Sequence, residues 1–272
     1  MPVTRPERLP DFKKPPLSEV VLGVQFAAPQ GYQQILSRDV WDLFRAEYPI
    51  VQEQPAIQPT FETFGLPAFG SMETASFQLF SGIPHCRYWF VRGDGQEIIQ
   101  FQNDKMLHNW RKIGDESTYP RFEWMVSRFE NELNLLQAYV ASLTPQVLSI
   151  NQCEISYLNS VVDPQGDLGA PSDWLNFLKF DDLNIDDFAA MLREVILSET
   201  GLPVGRLICD ARTEIKPNGL RGIAFSLTVR GAPQGTDIKS ALEFLTKGRE
   251  IIVSKFANLT THKAHESWGR LK

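Results

Sequence analysis

The chain has 272 residues, 43% of them hydrophobic and 22% charged, with a net charge of −6. These are ordinary globular proportions, so wholesale disorder is excluded and the chain is long enough to bury a substantial core. The charge divides as −4 over residues 1–142 and −2 over residues 143–272, so neither half offers the clustered cations of sequence-independent nucleic-acid binding, and nucleic acid is the less favoured partner.

Residues 1–16 are rich in proline, which denies helix and ladder hydrogen bonds, and are expected to form an extended, poorly ordered arm. A strand follows over Leu17–Ala28, with Val20, Leu22, Val24 and Phe26 on one face. Pro29-Gln30-Gly31 turns the chain into a predicted helix over about Tyr32–Tyr48, whose stripe is Ile35, Val40, Leu43, Phe44 and Tyr48. Pro55, Pro59 and Pro67 mark residues 50–75 as an irregular or edge strand. Strands are then predicted at Ala75–Phe80, Cys86–Arg92 and Glu97–Trp110, the last two joined by a Gly93-Asp94-Gly95 hairpin. Pro120 opens a long helix, Arg121–Leu143, with Phe122, Met125, Phe129, Leu133, Leu136 and Val140 at spacings of three and four.

The same order then returns. Val147–Val162 alternates as a strand, Asp163–Pro171 reads as a loop, and Asp173–Phe180 as a short helix. Phe188–Glu199, Gly205–Lys216 and Gly222–Arg230 read as strands, although Met191, Leu192, Val195 and Ile196 in the first of them also satisfy a helical period. Asp237–Asn258 is the closing helix, and His262–Leu271 a terminal helical turn. The expected fold is therefore α+β, built from an arm (1–16) and two similar β-α-β-β-β-α halves, 17–145 and 146–272. The halves would share one curved, mostly antiparallel sheet with the long helices on one face. The saddle of the TATA-binding protein is a fold-level analogy for this arrangement and transfers no function. A helix-grip fold is the competing architecture.

Cys86, Cys153 and Cys209 lie far apart in strand-like runs, without a CxxC pair, and read as small buried hydrophobes in a reducing setting. The N-terminal stretch has no apolar core of a signal peptide, and no apolar run nears the roughly 20 residues of a membrane span. A cytoplasmic protein away from the membrane is the expectation.

Several blocks carry a resemblance: Pro16-Leu17-Ser18-Glu19-Val20-Val21-Leu22-Gly23-Val24-Gln25-Phe26, Asn109-Trp110-Arg111-Lys112, Asn151-Gln152-Cys153-Glu154-Ile155-Ser156-Tyr157-Leu158-Asn159, Val204-Gly205-Arg206-Leu207, and Phe256-Ala257-Asn258-Leu259-Thr260-Thr261 with His265 and Trp268-Gly269-Arg270. In this order, over nearly the whole chain, they resemble a family of prokaryotic proteins of about this length that is distributed sporadically across bacteria and archaea. The resemblance implies no activity, cofactor or catalytic residue. Its patchy distribution implies an accessory, mobile gene, of the kind enriched in phage defence or toxin–antitoxin pairs.

The chemistry-bearing residues give no strong constellation. His262 and His265 share a helical face beside Glu266, but the spacing matches no zinc motif, and docking of the last turn by His265 and Trp268 is the favoured role. His85 and His108 could approach one another across neighbouring strands, but an interior or edge histidine satisfied by hydrogen bonding is the favoured reading. Cys153 beside Glu154 lacks a cationic neighbour in sequence to make it a thiolate. Asp181, Asp182, Asp186 and Asp187 crowd together without the glycine and closing glutamate of a calcium loop. The leading surface candidate is Trp110-Arg111-Lys112, an aromatic with adjacent cations, weighed evenly against a strand whose Trp110 is core while Arg111 and Lys112 are solvated, with His265, Trp268 and Arg270 as its looser counterpart in the second half. The resulting expectation is a non-enzymatic protein-binding or regulatory accessory protein, without cofactor or metal. Its partner would be another protein, encoded by an adjacent gene, or a second copy of the chain. The alternatives are a hydrolase or nuclease with a site assembled in space, and a nucleic-acid binder using the sheet face.

Overall fold

The computed structural model describes residues 5–65, 86–163, 168–179 and 185–272. The predicted strand Ala75–Phe80, His85, Asp181 and Asp182 lie outside them. Among the described residues, helix and strand mix in an α+β fold around one sheet of nine strands: β1 (Leu17–Phe26), β2 (Ile50–Gln54), β3 (Arg87–Val91), β4 (Glu97–Gln102), β5 (Lys105–Arg111), β6 (Ile150–Val161), β7 (Ala189–Leu197), β8 (Pro203–Ile215) and β9 (Arg221–Gly231). Their order is β2-β3-β4-β5-β1-β6-β9-β8-β7, with every neighbouring pair antiparallel. Each half begins at the centre, on β1 or β6, then jumps to an outer edge and returns inward through successive antiparallel neighbours. The two halves meet where β1 pairs with β6, with Leu22 opposite Ile155 and Val24 opposite Cys153.

The helices are α1 (Ser37–Asp42), α2 (Phe122–Leu143), α3 (Ile238–Leu259) and α4 (His262–Ser267). The apolar stripe of α2 and the core-facing residues of β1, β5 and β6 enter one buried cluster with those of α3. Helix α3 sits close against the sheet at Gly248, where an added Cβ would lie 2.7 Å from the Ile155 side chain. Because α2 and α3 lie side by side on the same face, the helix-grip alternative, with its single wrapped helix, does not describe the chain.

Several local expectations are corrected. Glu97–Trp110 is two strands, because Asn103-Asp104 makes a tight turn whose Asp104 carbonyl accepts from the Phe26 N–H at 2.9 Å. The helix expected over Tyr32–Tyr48 shortens to a 3₁₀ turn at Gln34–Leu36 and α1, followed by turns. Val40, Phe44 and Tyr48 are buried as the stripe required, but Ile35 is 81% exposed, and the Trp41 indole donates to the Tyr48 carbonyl at 2.9 Å as the chain turns toward β2. Its counterpart in the second half is only a 3₁₀ turn, Pro171–Asp173. Residues 188–199 resolve as strand β7. The arm is held, because Leu9 and Phe12 are apolar enough to bury: Phe12 lies edge-on to Phe256 at 5.6 Å, and Lys13 and Lys14 donate backbone N–H bonds to Gly269 and Trp268.

Candidate functional site

Strand residues alternate between faces, so the register that turns Val20, Leu22 and Val24 toward the helices turns Glu19, Val21, Gly23 and Gln25 the other way. On this second face the neighbours of Gln25 are Lys105 on β5 and Gln152 on β6, while Glu154 on β6 is followed by Arg230 on β9 and Arg206 on β8. Such a polar row on one face of an antiparallel sheet is normally solvated. Here Gln25, Lys105, Gln152 and Arg206 are all less than 9% exposed.

What covers them is the segment 55–64, which crosses the second face from the first half of the sheet to the second. Pro55 and Pro59 cannot donate to a ladder, and the segment is instead gripped by side chains. Arg87 on β3 donates to the Pro55 carbonyl at 3.3 Å. Gln102 on β4 takes both backbone groups of Ile57, accepting from its N–H at 2.8 Å and donating to its carbonyl at 3.0 Å. Gln25 accepts from the Thr60 N–H at 3.1 Å. On β8, Arg206 donates to the Thr63 carbonyl and to Glu62, both at 2.7 Å, and its guanidinium lies 5.4 Å from the Phe64 ring centroid. Arg230 reaches the other oxygen of Glu62 at 3.3 Å. The strap thus lies on the sheet as a peptide with one carboxylate, Glu62, held by side chains from several strands.

Beneath it remains a cavity of about 130 Å³, with Gly23 on its floor and Gln25, Lys105, Gln152, Glu154, Arg230, Ile57 and Thr60 among its lining residues. Glycine matters here, because a Cβ on Gly23 would come within 3.2 Å of Leu107. Lys105 Nζ donates to Gln25 Oε1 at 2.6 Å and lies 3.8 Å from Asp104. Burial pulls the lysine below its ordinary range, against the opposing pull of Asp104 and Glu154. Glu154 accepts from Arg230 Nε at 2.5 Å. Gln152 Nε2 is buried and has no hydrogen-bond partner among the described residues. Cys153, whose side chain belongs to the helix face, is pushed far up by burial, and Cys209 up to about 11, so neither is a thiolate at neutral pH.

The residues singled out from the sequence fall elsewhere. Trp110 is 3% exposed, on the helix face, 5.2 Å from the Tyr119 ring. Arg111 points to the second face and donates to the Gly95 carbonyl at 2.7 Å, while Lys112 is exposed, 3.5 Å from Asp115. The triplet is therefore split between core and surface, and only Arg111 and Lys112 remain open to a partner. His265 is buried, with Thr260 Oγ1 2.8 Å from Nε2 and Arg270 2.9–3.0 Å away through its backbone N–H and its guanidinium. Trp268 stacks on Phe256 at 5.3 Å. These two aromatic groups close the core and seat the arm. They are not a surface, and of the second cluster only Arg270 is exposed. His262 is exposed beside Glu266, Asp186 and Asp187 are exposed, and His108 is buried against Glu132 at 2.9 Å. Among the described residues no three His, Cys, Asp or Glu side chains are placed to hold a metal ion, and no helix is long and apolar enough to cross a membrane.

Sequence reasoning missed Glu62, Gln25, Lys105, Gln152, Glu154, Arg206 and Arg230 as a group. The available signal was the set of polar residues on one face of the two central strands, Glu19 and Gln25 on β1 and Gln152, Glu154 and Ser156 on β6. No family model, no curated protein and no solved structure matches the chain.

Proposed function

We propose that this chain is a non-enzymatic protein-binding accessory protein, and that the second face of its sheet reads an extended, acidic segment of a partner protein. The observation that supports this most is the strap itself. Backbone groups of Pro55, Ile57, Thr60 and Thr63 are bonded by side chains from four strands, and Glu62 lies between two guanidinium groups. The partner's segment would take the strap's place, with an acidic side chain on Arg206 and Arg230. Hydrogen bonds to charged groups contribute about 1.5–3 kcal/mol each, enough for a few of them to decide between two competing peptides. The site cations Lys105, Arg206 and Arg230 each face a carboxylate, Asp104, Glu62 or Glu154, which suits a surface that recognises a peptide better than one that follows a phosphate backbone. The resemblance noted above makes phage defence or a toxin–antitoxin pair the proposed setting, with a partner encoded nearby.

The test is a pair of variants assayed against the partner recovered from the native host. Glu62→Gln weakens the strap and leaves the arginines in place, so it should tighten partner binding. Arg206→Met also frees the strap but removes the reading group, so it should weaken binding. If both variants bind more tightly, the strap is only an obstruction. If both bind like the wild type, the partner does not use this face.

A further inference from the structure

We propose that β7 is a self-pairing site, through which two copies of the chain join edge to edge, antiparallel, about a two-fold axis at Leu192. Among the described residues β7 ends the sheet. Seven of its nine residues are exposed, and all but Arg193 and Glu194 are apolar. A long apolar edge with unpaired backbone groups is a template for another strand, and sheet edges are ordinarily kept short or charged to prevent this. The opposite edge follows that rule: β2 has five residues, carries Glu53 and runs into Pro55. β7 is longer, and keeps Met191, Leu192, Val195 and Leu197 each at least 40% exposed.

Backbone geometry and charge select both the occupant and the register. The Thr213 N–H donates to the Phe188 carbonyl at 3.0 Å, in line with the pairing of Ala189 and Arg212. Antiparallel ladders alternate, so the even-numbered residues of β7 turn their backbone groups to β8, while Ala189, Met191, Arg193, Val195 and Leu197 turn theirs outward. Directly opposed side chains share a face, so about a two-fold axis odd residues meet odd ones, and the outward groups of two copies meet each other. An axis at Arg193 or Glu194 would set like charges directly opposite, which destabilises pairing. An axis at Val195 would put Arg193 against the apolar Leu197, with Pro203 behind it. An axis at Leu192 opposes Arg193 to Met191 of the other copy, behind which lies Asp210 on β8. Arg193 of each copy then reaches Asp210 of the other across two strand spacings of about 5 Å each, a span that the two side chains bridge together. Neither side chain has an ion-pair or hydrogen-bond partner among the described residues. Because each copy supplies both the cation and the acid, the match is reciprocal, and it is complete with a second copy of this chain.

This pairing goes beyond the peptide-reading function and uses none of the side chains that hold the strap, so the two can fail separately. The experiment is sedimentation equilibrium of the full chain at micromolar concentrations, with folding verified by a thermal melt. Wild type should sediment at twice the chain's 30.9 kDa. Arg193→Glu and Asp210→Arg should each raise the dimer dissociation constant by about tenfold or more, and the two changes combined should restore it. Arg193→Pro removes an outward N–H and leaves the ladder between β7 and β8 whole, so it should also give monomer. If the proline variant does not fold, the charge reversals decide, since both alter side chains that reach solvent. A monomeric wild type overturns the proposal, as does a dimer unchanged by either charge reversal. Loss of the dimer in both single variants without recovery in the double variant overturns it too, because the reciprocal match would then be absent.

Discussion

Replacing Arg206 by methionine should release the strap without unfolding the sheet. The substitution keeps the apolar stem and removes two charge-assisted bonds, to Glu62 and to the Thr63 carbonyl, both at 2.7 Å. It leaves Glu62, whose side chain is 9% exposed, with Arg230 alone at 3.3 Å. Removing one partner of a buried pair costs about 3–5 kcal/mol when the other group must stay buried. Here Glu62 can return to water if residues 55–64 lift, so the loss is capped at the free energy that docks the strap. A loss of about 3 kcal/mol would raise the open population by roughly 10²-fold. The assay is hydrogen exchange of the intact chain, followed at the Ile57 and Thr60 amides, which are bonded to Gln102 and Gln25. Both should exchange faster together, while amides of β1 and β6 keep their protection. Unchanged exchange in residues 55–64 would show that Arg206 does not hold the strap, and faster exchange throughout the sheet would show that the segment is part of the cooperative core.

Three further outcomes follow from the packing. Trp110→Ala should destabilise the fold by about 3–5 kcal/mol in urea unfolding, whereas Lys112→Ala should change stability by within about 0.5 kcal/mol; equal effects would contradict the placement of the ring in the core. Gly248→Ala should destabilise by about 1–3 kcal/mol despite its better helix propensity, because the new methyl lies 2.7 Å from Ile155 and 3.2 Å from Val229; a raised melting temperature would contradict that close approach. Burial, then Arg270, holds His265 below its ordinary pKa of 6.5, so the unfolded chain binds the proton more readily. Its contribution is complete above about pH 6.5 and is lost as pH falls below that value, and His265→Gln should flatten this part of the stability profile; an unaltered slope would count against it.

The fold was largely legible because burial of one face imposes a period that the sequence must obey. Val20, Leu22 and Val24 marked β1, and the stripe from Phe122 to Val140 marked α2. Where the period is shared, composition did not decide: Asn103-Asp104 interrupts an apolar-rich run without glycine, so β4 and β5 read as one strand. The site was harder to see. Gln25, Lys105 and Gln152 are ordinary residues for the wet face of a sheet, and only the path of a segment interrupted by Pro55 and Pro59 makes them buried. That path depends on contacts such as Glu62 with Arg206, 144 positions apart, which no local pattern encodes. Trp110-Arg111-Lys112 shows the converse, since adjacency in a strand sends neighbouring side chains to opposite faces, and Trp110 is core as one of the two readings of the triplet had it.

The central claim is that the chain's own segment 55–64 and a partner's segment compete for one face of the sheet. Its most direct test is hydrogen exchange of residues 55–64 in the full-length protein, measured alone and in complex with the partner recovered from the native host. Displacement predicts that the Ile57 and Thr60 amides lose protection in the complex while amides in β1, β6 and β9 keep theirs. Equal or greater protection of 55–64 in the complex would show that the partner binds elsewhere and that the strap is a permanent part of the fold.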